Sequence, residues 1–437
     1  MPAKKKSPAK PKAAPSTAPD SLAPARADAP KAPVTIKLAP AKGRPMLQWV
    51  GKKPLARVTS FPAQHIESFD PLGEATTRAT SGGRFYHGDC KEVLAHLLAT
   101  GHRGTINLVY IDPPFDSGAD YVRKVALRGK SAIAKLDGES YSLGEQVQYS
   151  DIWANDTYLQ FMFERLILLK ELMAEGGSIY LHCDGHKSHV LRCILEEVFG
   201  AESFCAEIVW KRTNSHNSAD TFGPVHDTVL YYSKGPRNVW NKPTMEIAAE
   251  HLDSAYSKTD ASGKKYGLQE LTAPGIRSGS SGSIWRGFNP NSLGRHWRWE
   301  AEELERVAQE GRIYFPAAGG WPRLIVYRED ANVRKPASDW WDDVTPLYMS
   351  SSQREDYPTQ KPEALLERVI LSSTNPNDLV LDCFMGSGTT CAVAQKLGRR
   401  WIGCDINKGA MQTAGKRLQG IIAGQIDAAQ AVAADQA

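Results

Sequence analysis

An apolar run, Ile106-Asn-Leu-Val-Tyr-Ile111, stops at Asp112-Pro113-Pro114-Phe115, setting an acid, a proline carbonyl and an aromatic ring at the tip of an expected buried strand. Proline after Asp112 forces the aspartate out of helical geometry into an extended shape. Neither proline carries an N–H, so the stretch offers acceptors and no competing donors. A planar NH2 group needs two acceptors. The Asp112 carboxylate can take one of its hydrogens and the Pro113 carbonyl the other, while Phe115 offers a face on which a heterocycle can stack. Alone, two prolines could mean no more than the end of a strand, and the rest of the chain decides between the readings.

A second group of residues lies at Asp382-Cys-Phe-Met-Gly-Ser-Gly-Thr-Thr390, expected between a strand and a helix. Gly386 and Gly388 let the backbone approach a ligand closely, and the start of the helix beyond supplies unpaired N–H groups. No Gly-Lys-Ser/Thr follows, which excludes a P-loop, and Cys391 stands where the nicotinamide fingerprint has its third glycine. Asp405 lies 19 positions beyond Gly386 and ends the next expected strand, a spacing that suits an acid gripping ribose hydroxyls. Asp89, ending a neighbouring strand, is a candidate for the adenine amino group of the same ligand.

Positioning these residues requires elements, and five apolar stretches share one ending: Phe85 to Asp89, Leu108 to Asp112, Ile179 to Asp184, Leu379 to Asp382 and Trp401 to Asp405. Each reads as a buried parallel strand. Helical patterns over Tyr158 to Ala174, Val190 to Phe199, Pro362 to Ser372 and Thr389 to Leu397 lie between them, the alternation of a sheet wrapped by helices. The expected fold is α/β, a doubly wound Rossmann-like sheet. Ligands bind at the carboxyl ends of such strands, and here that rim carries acids. Asp is common wherever a strand turns into a loop, but five such endings suit a ligand rich in hydroxyls, amines and positive charge. S-adenosylmethionine is such a ligand.

The 437 residues leave room for two globular parts and tails, and 41% hydrophobic with 23% charged residues is ordinary for a soluble protein. No apolar run reaches the length of a membrane span, and no apolar segment follows the basic N-terminus as a secretory signal would require. Seven cysteines without paired short spacings argue for a reducing compartment, so cytoplasm is expected. Met1 to Pro45 holds ten basic residues against two acidic ones, a charge of +8 that leaves −4 for the remainder of a chain of net charge +4. This Lys/Ala/Pro-rich stretch is expected to be a disordered basic tail over 1–45, and it is either a phosphate-seeking arm or a solubilising tail.

With Asp112-Pro-Pro-Phe115, then Thr359-Gln-Lys361-Pro, then Asp382-x-Phe384-x-Gly386-Ser387-Gly388-Thr389-Thr390 in that order, the chain resembles the β class of DNA amino-methyltransferases over about Trp49 to Ile422. The resemblance implies a methyltransferase sheet with an inserted target-recognition domain. Its catalytic half would span 46–210, the insert 211–349, the cofactor half 350–422 and a tail 423–437. It implies catalysis by Asp112, Pro113, Pro114 and Phe115, with Asp89, Thr359, Lys361, Asp382, Phe384, Gly386, Ser387, Gly388, Thr389 and Asp405 around S-adenosylmethionine. The family more often has Tyr at position 115 and Glu at position 405, and both changes keep an aromatic face and a carboxylate. The implied activity is methyl transfer to adenine N6 of a flipped-out base in double-stranded DNA. Cytosine N4 is the nearest alternative, and a protein or RNA amine is less favoured by the motif order. Asp at position 112 leans toward adenine, since the cytosine enzymes more often have Ser there. A homodimer and a cognate restriction endonuclease are left open as partners.

The insert interleaves Trp240, Trp285, Trp297, Trp299, Trp321, Trp340 and Trp341 with Arg286, Arg295 and Arg298, a mixture suited to phosphate and base contacts. The plainer alternative is a small core built on tryptophan. Arg277 to Ser283 reads as a mobile loop that could close on DNA. His182, Cys183, His186, His189 and Cys193 match no standard zinc-finger spacing, so no metal is expected, and His182 with Asp184 is expected at the substrate rim.

Overall fold

All five stretches that end in aspartate become strands, and the five lie side by side and parallel in one sheet. The computed structural model describes residues 33–41, 43, 46–69, 82–115, 120–124, 145–150, 157–214, 221–236, 238–348, 351, 353–355, 357 and 359–435. These form two compact units, the first of 1–207, 227–239 and 347–437, the second of 208–226 and 240–346.

The first unit carries β1 (Gln64–Phe69), β2 (Gly83–His87), β3 (Ile106–Ile111), β4 (Met173–Cys183), β5 (His226–Ser233), β6 (Leu379–Asp382) and β7 (Arg400–Asp405), in the spatial order β5-β4-β3-β6-β7-β2-β1. Of these seven, the two at the ends of that order, β5 and β1, run antiparallel to β4 and β2 beside them, and beyond β5 the sheet continues with Phe204–Lys211. Leu108 to Ile111 of β3 and all of β6 are buried, as strands covered on both faces by helices must be. The helices are α1 (Cys90–Ala99), α2 (Thr157–Leu172), α3 (Ser188–Phe199), α4 (Glu363–Ser373), α5 (Thr389–Lys396) and α6 (Lys408–Asp435). Their starts follow local chemistry: the Asp89 carboxylate accepts from Lys91 N at 2.8 Å and caps α1, and Gly388, at φ +74°, turns the chain into α5.

The order of the strands matters more than their number. β2 and β3 are consecutive among the parallel strands, yet β6 and β7 from the far end of the chain lie between them. Val380 pairs with Leu108 and Leu381 with Val109, so the strand leading to Asp112 lies beside the strand leading to the glycine turn. An open crevice forms where strand order reverses in this way.

Two expectations about the tails are corrected. Val34–Lys37, placed by composition in the disordered tail, is a strand paired antiparallel with Arg57–Ser60, and Leu38 is buried in the main core. The alternation Val34, Ile36, Leu38 is enough to make a strand, and averaging over a Lys/Ala/Pro stretch hides it. Residues 1–32 of that tail lie outside the described residues. The stretch after Ile422 continues α6 to Asp435, as expected of a run of strong helix formers such as alanine and glutamine.

The second unit is organised by Trp285 and Trp297, packed edge to face at 5.6 Å, with Leu271, Leu304, Val307 and Ile313 around them. Trp297 is fully buried, and its ring N–H donates to the Ser283 carbonyl at 2.9 Å. Arg286 pairs with Glu305 at 2.5 Å and Arg295 with Glu270 at 2.9 Å. Those tryptophans and arginines therefore serve the unit's own structure, while Trp240 and Trp340 are about half exposed. The segment read as a mobile loop is folded: Ser280–Gly282 form a 3-10 turn with Ser281 and Gly282 buried, and the Asn291 amide donates to the Arg277 and Gly282 carbonyls.

Candidate active site

Asp112 follows the last residue of β3, where the two prolines hold the chain extended. Its Oδ2 accepts a hydrogen bond from Lys361 Nζ, the lysine of the Thr359-Gln-Lys-Pro segment that leads into α4. Its Oδ1 is buried and has no hydrogen-bond partner among the described residues. A buried acceptor left open in a native fold is costly, on the order of 1–3 kcal/mol, so its presence marks a place where something else binds. Lys361 Nζ also lies 5.5 Å from the centre of the Phe115 ring. The ring itself stacks on His182 at 6.1 Å with 18° between planes.

His182 is expected at the rim, and the structure corrects this. It is fully buried beneath Phe115, with Nδ1 2.9 Å from the Tyr110 hydroxyl and Nε2 3.1 Å from Asp227 Oδ2. The strand is covered on both faces and buried from Gly177 through Cys183, so His182 is enclosed, and only Asp184, just past the strand, is partly exposed. Asp184 ends its strand as expected, but it accepts from His186 N at 3.0 Å and shapes the turn before α3. It is absent from the lining of the cavity described next.

That cavity, of about 390 Å³, opens at the carboxyl ends of β2, β3, β6 and β7. Asp89, Asp112, Pro114, Thr359, Lys361, Asp382, Phe384, Gly386, Ser387, Thr389 and Asp405 all line it. Asp112 and the Gly386 turn thus share one space. Asp405 accepts from Gly386 N at 2.9 Å and from Asn407 N at 2.8 Å, which ties the glycine turn to the end of the neighbouring strand. Asp382 accepts from Phe384 N at 3.0 Å and from the Thr390 hydroxyl at 2.5 Å. Burial pushes Asp382 up to about 7, the bonds from Thr390 and Phe384 working against it and the Asp112 and Asp405 charges adding to it. Burial raises Asp405 as well. A rim of carboxyls that resist ionisation together favours a cationic ligand that relieves them.

Several residues serve the site in other ways than expected. Gly388 is not part of the lining. A Cβ there would sit 2.6 Å from Ala414 Cβ of α6, at a backbone angle side chains avoid, so its glycine belongs to packing rather than to ligand approach. The Ser387 and Thr389 hydroxyls are 3.1 Å apart, and Thr389 also bonds the Lys361 carbonyl at 3.3 Å, pinning the lysine segment to the glycine turn. Asp89 lines the cavity with both oxygens engaged, one by Lys91 N and the other by Arg165 Nη2 at 2.7 Å. Sequence reasoning missed Tyr357, Phe161, Leu366 and Ile406, which also line it. Tyr357 lies two residues before Thr359, and its ring comes within 3.1 Å of where a Gly386 side chain would begin.

The Asp382 shift has a measurable sign. Its carboxyl is neutral in the fold up to about pH 7 but ionises near 3.8 when the chain unfolds. Its contribution to stability is therefore full below pH 3.8 and lost as pH rises toward 7. In urea titrations of the chain without ligand, Asp382→Asn is expected to flatten the decline in stability over that window. An unchanged slope would refute this assignment.

A DNA methylase family model for N6 and N4 enzymes matches residues 106–416. Among curated relatives, the chain is 32% identical over 335 residues to the type II methyltransferase M.EcaI of Enterobacter cloacae, covering 76% of this chain and 69% of that one. It is 71% identical over 307 residues to the type II methyltransferase M1.MboII of Moraxella bovis, covering 69% of this chain and 85% of that one. A shorter match, 44% identical over 104 residues, is to the DNA adenine methyltransferase YhdJ of Escherichia coli K12, covering 23% of this chain and 35% of that one. The chain spans only about half, 52%, of the StyLTI type III Mod subunit of Salmonella typhimurium that it also matches. No helix among the described residues is long and apolar enough to cross a membrane.

Proposed function

The chain belongs to the N6/N4 DNA methylase family, and from that premise we propose that it methylates the N6 amine of adenine in double-stranded DNA. The observation that carries this reading is the buried Asp112 Oδ1 at the cavity, unpartnered among the described residues, opposite an Oδ2 held by Lys361. An exocyclic amine is a poor nucleophile because its lone pair is delocalised into the ring. Asp112 Oδ1 and the Pro113 carbonyl, each accepting one N–H, draw the nitrogen toward tetrahedral geometry and free that pair. Positive charge then builds on the nitrogen beside a fixed carboxylate, which stabilises the transition state more than the ground state. Reaching the amine requires the base to leave the duplex, and the Phe115 ring, backed by His182, rewards it by stacking.

S-adenosylmethionine, when bound, supplies a methyl group on a sulfonium. The lining fits it: Asp382 suits a cationic group, the Asp405 carboxylate suits ribose hydroxyls, and Gly386 leaves room that a side chain would fill. Asp at position 112, with a relative named as an adenine methyltransferase, favours adenine over cytosine. The StyLTI Mod subunit is described as part of a type III restriction-modification enzyme, which supports a modification enzyme paired with a restriction endonuclease. Nucleoside mass spectrometry of DNA treated with the protein is expected to yield N6-methyladenine, and N4-methylcytosine alone would refute the choice of base. We assign sequence recognition to the second unit, so exchanging 240–346 for a relative's segment should change the methylated sequence. Unchanged specificity after such an exchange would count against that assignment.

A further inference from the structure

Cys90 is the first residue of α1, so its sulfur sits at the positive end of a ten-residue helix, and Arg165 Nε lies 2.6 Å from it. Helix N-termini and adjacent arginines are two of the settings that favour a thiolate over a thiol. The arginine is itself buried and fixed, because its Nη2 holds Asp89 at 2.7 Å and its Nη1 donates to the Phe161 carbonyl at 3.2 Å. Cys383, next to Asp382, has its side chain close enough to act on the Cys90 thiol, and both line the cavity. A third cysteine, Cys404, donates to the Cys383 carbonyl at 3.5 Å. The two partners differ in character. Burial acts to raise Cys90, but the Cys383 side chain and the Arg165 charge outweigh it and bring the thiol below its ordinary range. Burial pushes Cys383 well up, so that it stays protonated.

We propose that Cys90 is a redox modification site that takes an oxygen from hydrogen peroxide or an organic peroxide entering the cavity, with Cys383 as its resolving partner. The Cys90 thiolate attacks one peroxide oxygen, an S–O bond forms, the O–O bond breaks, and the other oxygen leaves as hydroxide or alkoxide and is protonated by water. The Cys383 sulfur then attacks the sulfenic sulfur, the S–S bond forms, and the hydroxyl departs as water with the Cys383 proton. Both sulfurs are oxidised and the peroxide is reduced. The bridge joins the start of α1 to the turn after β6, across the floor of the cavity, and so removes the shape that a ligand needs. A bound cofactor covers the same sulfurs and protects them.

The test treats the reduced, full-length protein with sub-millimolar hydrogen peroxide, with and without S-adenosylhomocysteine, and maps thiols by peptide mass spectrometry. A Cys90–Cys383 disulfide is expected, with methyl transfer lost in parallel and restored by dithiothreitol, and with slower formation in the presence of S-adenosylhomocysteine. In Cys383→Ser the reaction should stop at a dimedone-reactive sulfenic acid on Cys90. Arg165→Gln should slow oxidation of Cys90 by about tenfold or more, since it removes the charge that stabilises the thiolate. Oxidation of the more exposed Cys193 and Cys205 while Cys90 and Cys383 remain reduced would overturn the proposal, and the wild-type map alone can give that result. Thiol mapping does not depend on which base is methylated, so this proposal and the preceding one fail separately.

Discussion

Replacing Asp112 with alanine is expected to lower kcat for methyl transfer by about 10²–10³-fold, the cost of removing a fixed group that faces developing charge. Cofactor affinity is expected to stay within a few-fold. The structure gives a reason for that separation. Asp112 contributes to the repulsion that holds Asp382 partly neutral, so its loss lets Asp382 ionise more readily beside a cationic ligand. The substitution also leaves the partly buried Lys361 ammonium without its carboxylate, and some loss of stability should accompany the loss of rate. Asp112→Asn separates the two effects, because it keeps the shape but can turn a donor toward the amine. Single-turnover methylation with calorimetric binding of S-adenosylhomocysteine measures both quantities. Comparable methylation by the alanine variant would mean that the amine is activated elsewhere.

What could be read beforehand follows from how far each signal reaches along the chain. Strands ending in aspartate are legible because a run buried on both faces is apolar throughout and the acid, Asp184 apart, marks the end that meets the cavity. The four expected helices among them start and stop within about three residues of the observed ones. The meeting of Asp112 with the Gly386 turn was legible only through motif order, since no local pattern places β6 between β2 and β3. Residues with two neighbours in space were read with one role. Gly388 looked like a ligand contact but answers to Ala414, and Asp89 looked like an adenine contact but is also a helix cap and the partner of Arg165. The tryptophans of the second unit fit two readings in sequence, and burial decides for the core at Trp285 and Trp297. Arg165 passed unnoticed inside the leucine stripe of α2, although a charged residue among buried apolar neighbours was itself the available sign.

Lys361 carries the second large effect. The family resemblance puts it with the cofactor, yet its ammonium bonds Asp112 Oδ2 and lies over the Phe115 ring, which places it with the Asp112-Pro-Pro-Phe115 segment. A carboxylate on a loop can rotate, and the oxygen facing the amine is defined only if the other is held. Lys361→Met is therefore expected to lower kcat by roughly 10–100-fold through loss of positioning, with smaller changes in cofactor affinity. Lys361→Arg should recover part of the loss, because a guanidinium can hold the same oxygen though with a different reach. The alternative, that Lys361 binds the cofactor directly, makes the opposite division: affinity for S-adenosylhomocysteine would fall by the larger factor and single-turnover rates at saturation would be nearly normal. The contact itself favours positioning, since an ammonium already bonded to Asp112 and close to an aromatic face gains little by leaving them, and the Thr389 hydroxyl bonded to the Lys361 carbonyl holds the backbone where it is.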